Sequence, residues 1–492
     1  VRYTTVKTES GPARNRRHER SGPQPPTRAD EGTREDARRA GRSASYDRIA
    51  APQVDTNGNE EAVFVKVAIF TNTFSPHVGG VARSVGSLAD GLRARGHQVL
   101  VVAPKFPDHE DSTDHIVRIP AYQQFAGTDF SVPSPVSPSL TRRLDAFAPD
   151  IVHSHHPFLL GGTALRFAAA HKTPIVYTYH TRYDLYGHYV IHNSDITRRL
   201  ALGLSIGYCN LCDAVIAPSK SIAAFAALNG VKTMTVVIPT GVNTVPLYEN
   251  DTAGLRARYA IPPDAFVVGH VGRLAQEKNL GYLTDALIRF LRAAPEAHAL
   301  IVGHGEMSAP MADAFAEAGV SGRVHLTGVL IGAELSRAYA SMDVFAFSSV
   351  SETQGLVLIE AMAAGAPVLA LDAPGARDVV VDRENARLLA RDASTETFAE
   401  TLDWFAARSP EDVGEMRDHA KDTAAGYSQE NTIRKTLDLY AVLIERQPIR
   451  MSIEDSAWNA AKRRLAEQWH TVGRVAFALT DAVLMPERPT DE

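Results

Sequence analysis

The sequence predicts an α/β fold: two doubly wound parallel-sheet domains facing a cleft. Three observations predict it. Short β-branched apolar runs alternate with amphipathic helical stretches from Val63 onward. The alternation restarts near Ala265 with a second buried strand. In each half a glycine-bearing loop follows the first strand, at the carboxyl edge where open α/β sheets bind ligands.

The elements follow in chain order. Residues 1–62 are rich in Arg, Gly, Pro, Ser and Asp and show almost no apolar periodicity. Such a segment buries too little apolar surface to offset its ordering entropy, so a disordered N-terminal tail is expected. Residues 1–60 hold 12 Lys/Arg and 9 Asp/Glu, a net of +3, which leaves 39 basic and 48 acidic residues, a net of −9, in the remainder. The chain opens on Val; a GTG start read literally, or a start placed too early, stands beside a real functional tail.

The run from Val63 to Phe70 suits a buried parallel strand. A loop from Thr71 to Gly80 leads into an amphipathic helix over 81–95, which Gly96 closes, and a strand from His97 to Ala103. That is one βαβ unit. Further strands are expected at Ile151–His153, Ile175–Tyr179 and Ala214–Ala217. The second half repeats the scheme: strand Ala265–Val271, helix Asn279–Ala293, then strands Ala299–Val302, Val324–Thr327, Val344–Ala346 and Val368–Ala370. These form two Rossmann-like halves, 63–243 and 244–425.

Composition narrows the function without naming it. The chain has 492 residues, with 51 Lys+Arg against 57 Asp+Glu and a net charge of −6. That balance carries no nucleic-acid footprint. No apolar run reaches 18 residues and no Sec-type signal is visible, which argues against a spanning or secreted protein. Two cysteines exclude a disulfide scaffold and fit a reducing cytoplasm.

Three loops carry chemistry. The first is Asn72-Thr73-Phe74-Ser75-Pro76-His77-Val78-Gly79-Gly80-Val81. Gly79 and Gly80 let the backbone approach a ligand where a helix opens with free N–H groups, although a plain tight turn reads the same. The second is Gly272-Arg273-Leu274-Ala275-Gln276-Glu277-Lys278-Asn279. Arg273 as a fork and Lys278 as a point charge can clamp a diphosphate, or can be solvated loop charges. The third runs from Ser351 to Gly365, with Glu352 before a helix start near Gln354-Gly355 and Glu360 about two turns in. The free N–H groups at Gly355 suit a phosphate, and the two carboxylates suit sugar hydroxyls. A capped helix with one surface and one buried Glu is the bland alternative.

Jointly, in order and on the expected elements, these motifs resemble those of retaining glycosyltransferases of the two-Rossmann GT-B fold, family 4. The resemblance covers residues 63–447. It implies an acceptor domain over 63–243, a nucleotide-sugar domain over 244–425 and a helix over 426–447 crossing back to the first domain. Gly79 and Gly80 would approach the donor phosphate or sugar, and Arg273 and Lys278 would hold the diphosphate. Glu352 would bind the donor sugar, with backbone N–H groups of Gln354, Gly355 and Leu356 beside it. Glu360 would bind the ribose. Backbone at Gly328, Val329 and Leu330 would meet the base, with the turn Gly303-His304-Gly305-Glu306 shaping the wall. His180 would sit by the donor sugar. The catalytic set implied is thus His180, Glu352, Arg273 and Lys278.

The stretches from Tyr179 to Tyr189 and from Tyr208 to Asp213, with Gln354 where many members carry Phe, are similar to bacterial diacylglycerol glucosyltransferases. The resemblance therefore implies hexose transfer from a nucleotide diphosphate sugar, UDP-glucose favoured, to a lipid or small-molecule hydroxyl. A GDP-mannose-dependent mannosyltransferase acting on a phosphatidylinositol-type glycolipid is the alternative. An epimerase or hydrolase on the same fold, or a non-catalytic nucleotide-sugar-binding subunit, are the readings of other kinds.

Other motifs point elsewhere or nowhere. Cys209 and Cys212 form one Cys-x-x-Cys without a second pair and read as structural thiols. His153, His155 and His156 lack a carboxylate at ligand spacing, and the chain has no Asp-x-Asp, so no metal or other cofactor is expected. No Gly-x-Gly-x-x-Gly follows the first strand, which disfavours an NAD enzyme. Residues 448–492 are expected to form an amphipathic helix and tail. Trp458, Leu465, Val472 and Leu479 recur every seven residues, with basic residues elsewhere on the wheel. Such a helix can lie on a membrane or pack on protein, so a cytoplasmic enzyme, peripheral on the inner face of the membrane in the first case, is the expectation.

Overall fold

A computed structural model of the chain describes residues 64–453 except 78, 108, 110, 112, 123–131, 134–137, 186–194 and 243–251. The expected tail over 1–62, the boundary at 243/244 and the helix candidate from Ile453 to Leu484 (its first residue apart) lie outside the described residues.

The first sheet has seven parallel strands. They are β1 (Lys66–Phe70), β2 (Gln98–Pro104), β3 (Ile116–Ile119), β6 (Ile151–Ser154), β7 (Ile175–Thr178), β8 (Ala214–Ala217) and β9 (Thr235–Val237), in the spatial order β3-β2-β1-β6-β7-β8-β9. A short antiparallel pair, β4 (Ala121–Tyr122) with β5 (Val132–Pro133), stands apart from it. Helix α1 (Gly80–Ala94) connects β1 to β2, α2 (Pro138–Phe147) precedes β6, and α3 (Leu160–His171) connects β6 to β7. Helices α4 (Asp195–Cys209) and α5 (Lys220–Leu228) flank β8. The central strands β1, β6, β7 and β8 are buried on both faces, as unbroken runs such as Val-Ala-Ile-Phe require.

The second sheet has six parallel strands: β10 (Val267–Val271), β11 (His298–Val302), β12 (Val324–Gly328), β13 (Val344–Phe347), β14 (Val368–Leu371) and β15 (Ala386–Leu389). Their order is β12-β11-β10-β13-β14-β15. Its helices, in chain order, are α6 (Thr252–Arg258), α7 (Leu280–Ala293), α8 (Ser308–Glu317), α9 (Gly332–Ala340), α10 (Leu356–Ala363), α11 (Thr395–Ala406) and α12 (Pro410–Ala425). Strand order reverses beside β1 in the first sheet and beside β10 in the second. The crevices at those reversals are where the fold places ligands.

The last described helix, α13 (Gln429–Ile453), returns to the first sheet. Ile433, Leu439, Tyr440 and Leu443 join the core formed by β1, β2 and α1. Gly91 of α1 lies so close to Ile433 that a Cβ there would meet its Cδ1 at 1.9 Å. Gln429 Nε2 donates to Ser87 O, and Thr432 Oγ1 donates to Pro239 O. Among the described residues no helix is long and apolar enough to cross a membrane.

Candidate active site

The two reversals supply the site. The loop after β1 is tied down from its own side. Thr71 Oγ1 donates to Thr73 O at 2.8 Å, and Asn72 Nδ2 donates to Phe158 O at 3.1 Å. Asn72 Oδ1 accepts from Leu160 N at the start of α3. Gly79 is extended, and Gly80 begins α1. A Cβ on Gly80 would stand 4.0 Å from Leu356 Cδ1, so the glycine loop faces the first residue of α10 across the cleft.

The loop after β10 folds as a 3₁₀ turn over Gln276–Lys278 and closes on Asn279 at φ 57°. Two serines after β13 stitch to it. Ser348 Oγ donates to the Lys278 and Asn279 carbonyls, and Ser351 Oγ donates to Glu277 O. Ser349 Oγ donates to Glu352 Oε1 at 3.1 Å. Lys278 Nζ donates to the same Glu352 carboxylate, and Arg273 Nη2 pairs with Glu277. Burial alone would raise the Glu352 pKa. The Lys278 ammonium and the hydrogen bonds from Lys278 and Ser349 together outweigh it and hold the carboxyl below its ordinary value.

Helix α10 starts from Gly355 in the left-handed region at φ 70°, and Gly365 at φ 77° follows its end. Glu360 stands one turn into this helix rather than two. Tyr339 Oη donates to Glu360 Oε2 at 2.8 Å, and Arg83 of α1 pairs with Oε1 at 2.5 Å. Gly375 braces the loop from behind, since a Cβ there would meet Glu352 Cβ at 2.9 Å.

The Gln354 side chain is buried and turned to the first domain. Its Oε1 accepts from Thr240 N and its Nε2 donates to Thr240 O, both at 2.8 Å. Thr353 Oγ1 donates to His180 O at 2.9 Å, and Ser219 Oγ donates to Thr353 O at 2.7 Å. The Glu352–Leu356 loop therefore locks the two domains together as well as lining the cleft.

Gly79, Gly80, His180, Lys278, Glu352, Gln354, Gly355, Leu356 and Glu360 thus converge, with Arg273 joined through Glu277. Gly328, Val329 and Leu330 lie further out. Gly328 sits at φ 74° and its carbonyl accepts from Gly303 N at 2.8 Å. Val329 is exposed, while the Leu330 side chain packs into the core, so only the backbone of Leu330 remains for a ligand. Gly303 and Gly305 are required by close approach. A Cβ would meet Gly272 O at 1.8 Å in the first case and Leu274 O at 2.3 Å in the second.

Several residues at the site escape the sequence reading. His270 Nδ1 in β10 donates to Ala346 O, and its Nε2 has no partner among the described residues. Burial pushes its pKa down to about 4. It lies two residues before Gly272 in an otherwise apolar strand, and that lone polar residue was the available signal. His155 hydrogen-bonds His180 at 2.8 Å, while Tyr339, Arg83 and Ser349 hold the two carboxylates. No pattern in the sequence joins these to Glu352 or Glu360.

The His group binds polar protein atoms. His153 reaches Tyr440 Oη and Thr178 Oγ1, each at 2.7 Å, and His156 Nδ1 accepts from Asn72 N. Burial lowers the pKa of His153 and His156 to about 3 and that of His180 to about 4. Cys209 and Cys212 are free and buried; burial pushes Cys209 up to about 12 and Cys212 well above its usual range. Among the described residues no three His, Cys, Asp or Glu side chains are grouped to hold a metal.

Two doubly wound sheets whose reversal points face a shared cleft are the GT-B architecture. Solved structures agree on the fold. Sucrose-phosphate synthase from Thermosynechococcus elongatus superposes with TM-score 0.65 at 20% identity, covering 77% of this chain and 99% of that one. HepE from Anabaena, solved in complex with UDP, superposes with TM-score 0.62 at 20% identity, covering 77% of this chain and 100% of that one. Residues 78–245 match the family described as Glycosyltransferase Family 4, and residues 265–407 match Glycosyl transferases group 1. A GDP-mannose-dependent alpha-mannosyltransferase of Mycobacterium tuberculosis is 34% identical over 344 residues, 66% of this chain and 84% of its own. An alpha-monoglucosyldiacylglycerol synthase of Acholeplasma laidlawii is 28% identical over 396 residues, 78% of this chain and 98% of its own. The chain belongs to glycosyltransferase family 4 and is a hexosyltransferase.

Proposed function

We propose that the protein is a retaining enzyme that moves glucose from UDP-glucose to a hydroxyl of a membrane lipid such as diacylglycerol. The observation that carries this reading is the Lys278–Glu352 ion pair, just ahead of the N-terminus of α10, whose first residue Leu356 faces Gly80. A cation and a sugar-binding carboxylate so placed are ready to exchange each other for a donor. The diphosphate takes Lys278, with Arg273 beside it, and the sugar hydroxyls take Glu352. Glu360 receives the ribose, the N–H groups at the start of α10 face sugar and phosphate, and backbone at Gly328–Leu330 receives the base.

The chemistry needs no side-chain nucleophile. The bond from the anomeric carbon to the phosphate oxygen breaks, the acceptor oxygen bonds to that carbon on the same face, and the acceptor proton passes to the departing phosphate. The protein contributes position and preorganised charge. Two cations beside the diphosphate do the work that a divalent metal does elsewhere, so the reaction proceeds without one.

The lipid acceptor is supported by the synthase relative matched over 98% of its length. The mannosyltransferase relative at 34% identity favours a second reading, with GDP-mannose as donor, for which a phosphatidylinositol-type glycolipid is the acceptor to test. UDP-glucose and GDP-mannose assayed against diacylglycerol vesicles, phosphatidylinositol vesicles and soluble alcohols decide between them, with the product anomer read by NMR. An α-linked glucolipid is expected. Donor consumption without glycosylated product would overturn the assignment. A lipid acceptor calls for contact with a membrane surface, and the proposed one is its cytoplasmic face. Vesicle flotation should weaken when residues 454–492 are deleted, and unchanged flotation would remove that segment from the account.

A further inference from the structure

His155 and His180 follow neighbouring parallel strands, β6 and β7, and their rings lie edge to edge and nearly coplanar, 18° apart with centroids 5.1 Å apart. His155 Nδ1 lies 2.8 Å from His180 Nε2, so one proton is shared between two nitrogens. The other nitrogen of His155, Nε2, is buried and has no partner among the described residues. A proton there would make an orphaned buried N–H, a rarer feature of folded proteins than an unused acceptor. The proton therefore belongs on His155 Nδ1 and is donated to His180 Nε2. His180, neutral, then carries its own proton on Nδ1.

Packing holds this arrangement. His153 lies against His155 with centroids 4.2 Å apart, and both His153 nitrogens are engaged, with Tyr440 and Thr178. The His180 carbonyl accepts from Thr353, next to Glu352, which ties the ring's backbone to the opposite wall of the cleft. Burial keeps the whole group uncharged, with His155 well below its ordinary value and His180 at about 4.

We propose that His155 is a positioning residue that locks His180 in the Nδ1–H tautomer, making His180 a fixed hydrogen-bond donor to the donor sugar and not a base. The lock itself follows from the pair; its use on a sugar rests on the function proposed above. With its only lone pair occupied by His155, His180 offers an N–H to a hydroxyl oxygen and has no site left to take a proton.

Nitrogen-15 histidine NMR of the full-length protein tests the lock directly, since the spectrum reports which ring nitrogen carries the proton. The expected result is an Nδ1–H tautomer for His180 in the wild type, lost or averaged in His155→Phe and kept in His155→Gln, whose amide can still donate. An Nε2–H tautomer in the wild type would overturn the proposal, and so would a His180 spectrum indifferent to His155→Phe. If the Phe variant does not fold, the wild-type and Gln spectra still decide. In transfer assays His155→Phe is expected to lower kcat/KM by about tenfold, the effect of one misplaced hydrogen bond, with most of it recovered in His155→Gln. A displaced tautomer with unchanged transfer would uphold the lock and overturn the placement of His180 beside the sugar.

Discussion

The two walls of the cleft are built from opposite materials. The wall from the second sheet is charged: Lys278 pairs with Glu352, Arg273 pairs with Glu277, and Glu360 accepts from Arg83 reaching over from α1. The wall from the first sheet is a group of buried histidines, His153, His155, His156 and His180, kept neutral by desolvation and bonded to one another and to Tyr440, Thr178 and Asn72. The difference teaches a division of labour. On the proposed function, one wall neutralises a leaving diphosphate, while the other positions a sugar without offering a base.

The largest effect should come from the charged wall. Lys278→Ala is expected to lower kcat/KM by about 10² to 10³, the range for removing one preorganised charge or donor, with Arg273→Ala close behind. Steady-state transfer assays with the nucleotide sugar read this. Turnover near wild type in both variants would break the comparison at its stronger side. Next comes Glu352→Gln, which keeps the side chain's shape and removes its charge. Transfer should fall while UDP affinity, measured by calorimetry, holds or improves, because Lys278 loses a competing anion. Parallel loss of UDP affinity would remove Glu352 from sugar binding.

The neutral wall makes a prediction about stability. His153 and His156 have folded pKa values near 3, and His180 and His270 near 4, against an ordinary 6.5. Depressed values mean that the unfolded chain binds more protons below pH 6.5. Their stabilisation is thus complete above that pH and is lost as pH falls from 6.5 towards 4, at up to about 1.4 kcal/mol per pH unit for each group. Thermal melts from pH 7.5 to 4.5 should show a steep drop in Tm below 6.5. A melting temperature flat to pH 5 would show that these rings are not held neutral. The smallest effect concerns the seam. Gln354→Ala strands the N–H and C=O of Thr240, at about 1–3 kcal/mol, and should lower Tm by a few degrees; an unchanged Tm would show that the seam carries no stability.

The same contrast explains what the sequence discloses. The sheet strands around the site are legible because a strand buried on both faces needs an unbroken apolar run; Val67–Phe70, Val267–Val271 and Val344–Phe347 show it, with only His270 out of pattern. Short peripheral strands such as β9 and β15 are only partly buried and carry too weak a signal to be read. The charged wall, Arg83 apart, is legible because its cations and carboxylates sit at fixed spacings on two loops and the helix α10 that follows the second. The neutral wall is not. His155 meets His180 from 25 residues away, and Gln354 meets Thr240 from 114, so only strand pairing and domain closure reveal them. His180 is reached through family likeness alone, and His155 reads in the sequence only as one of three histidines without a metal-ligand pattern.

The most direct test of the division between the walls is the pH profile of kcat for sugar transfer between pH 5.5 and 8. With charge fixed on one wall and no titrating base on the other, the profile should be flat across that window. A sigmoidal limb centred near pH 6.5 that disappears in His180→Gln would show a histidine moving a proton in the rate-limiting step, and would contradict the account.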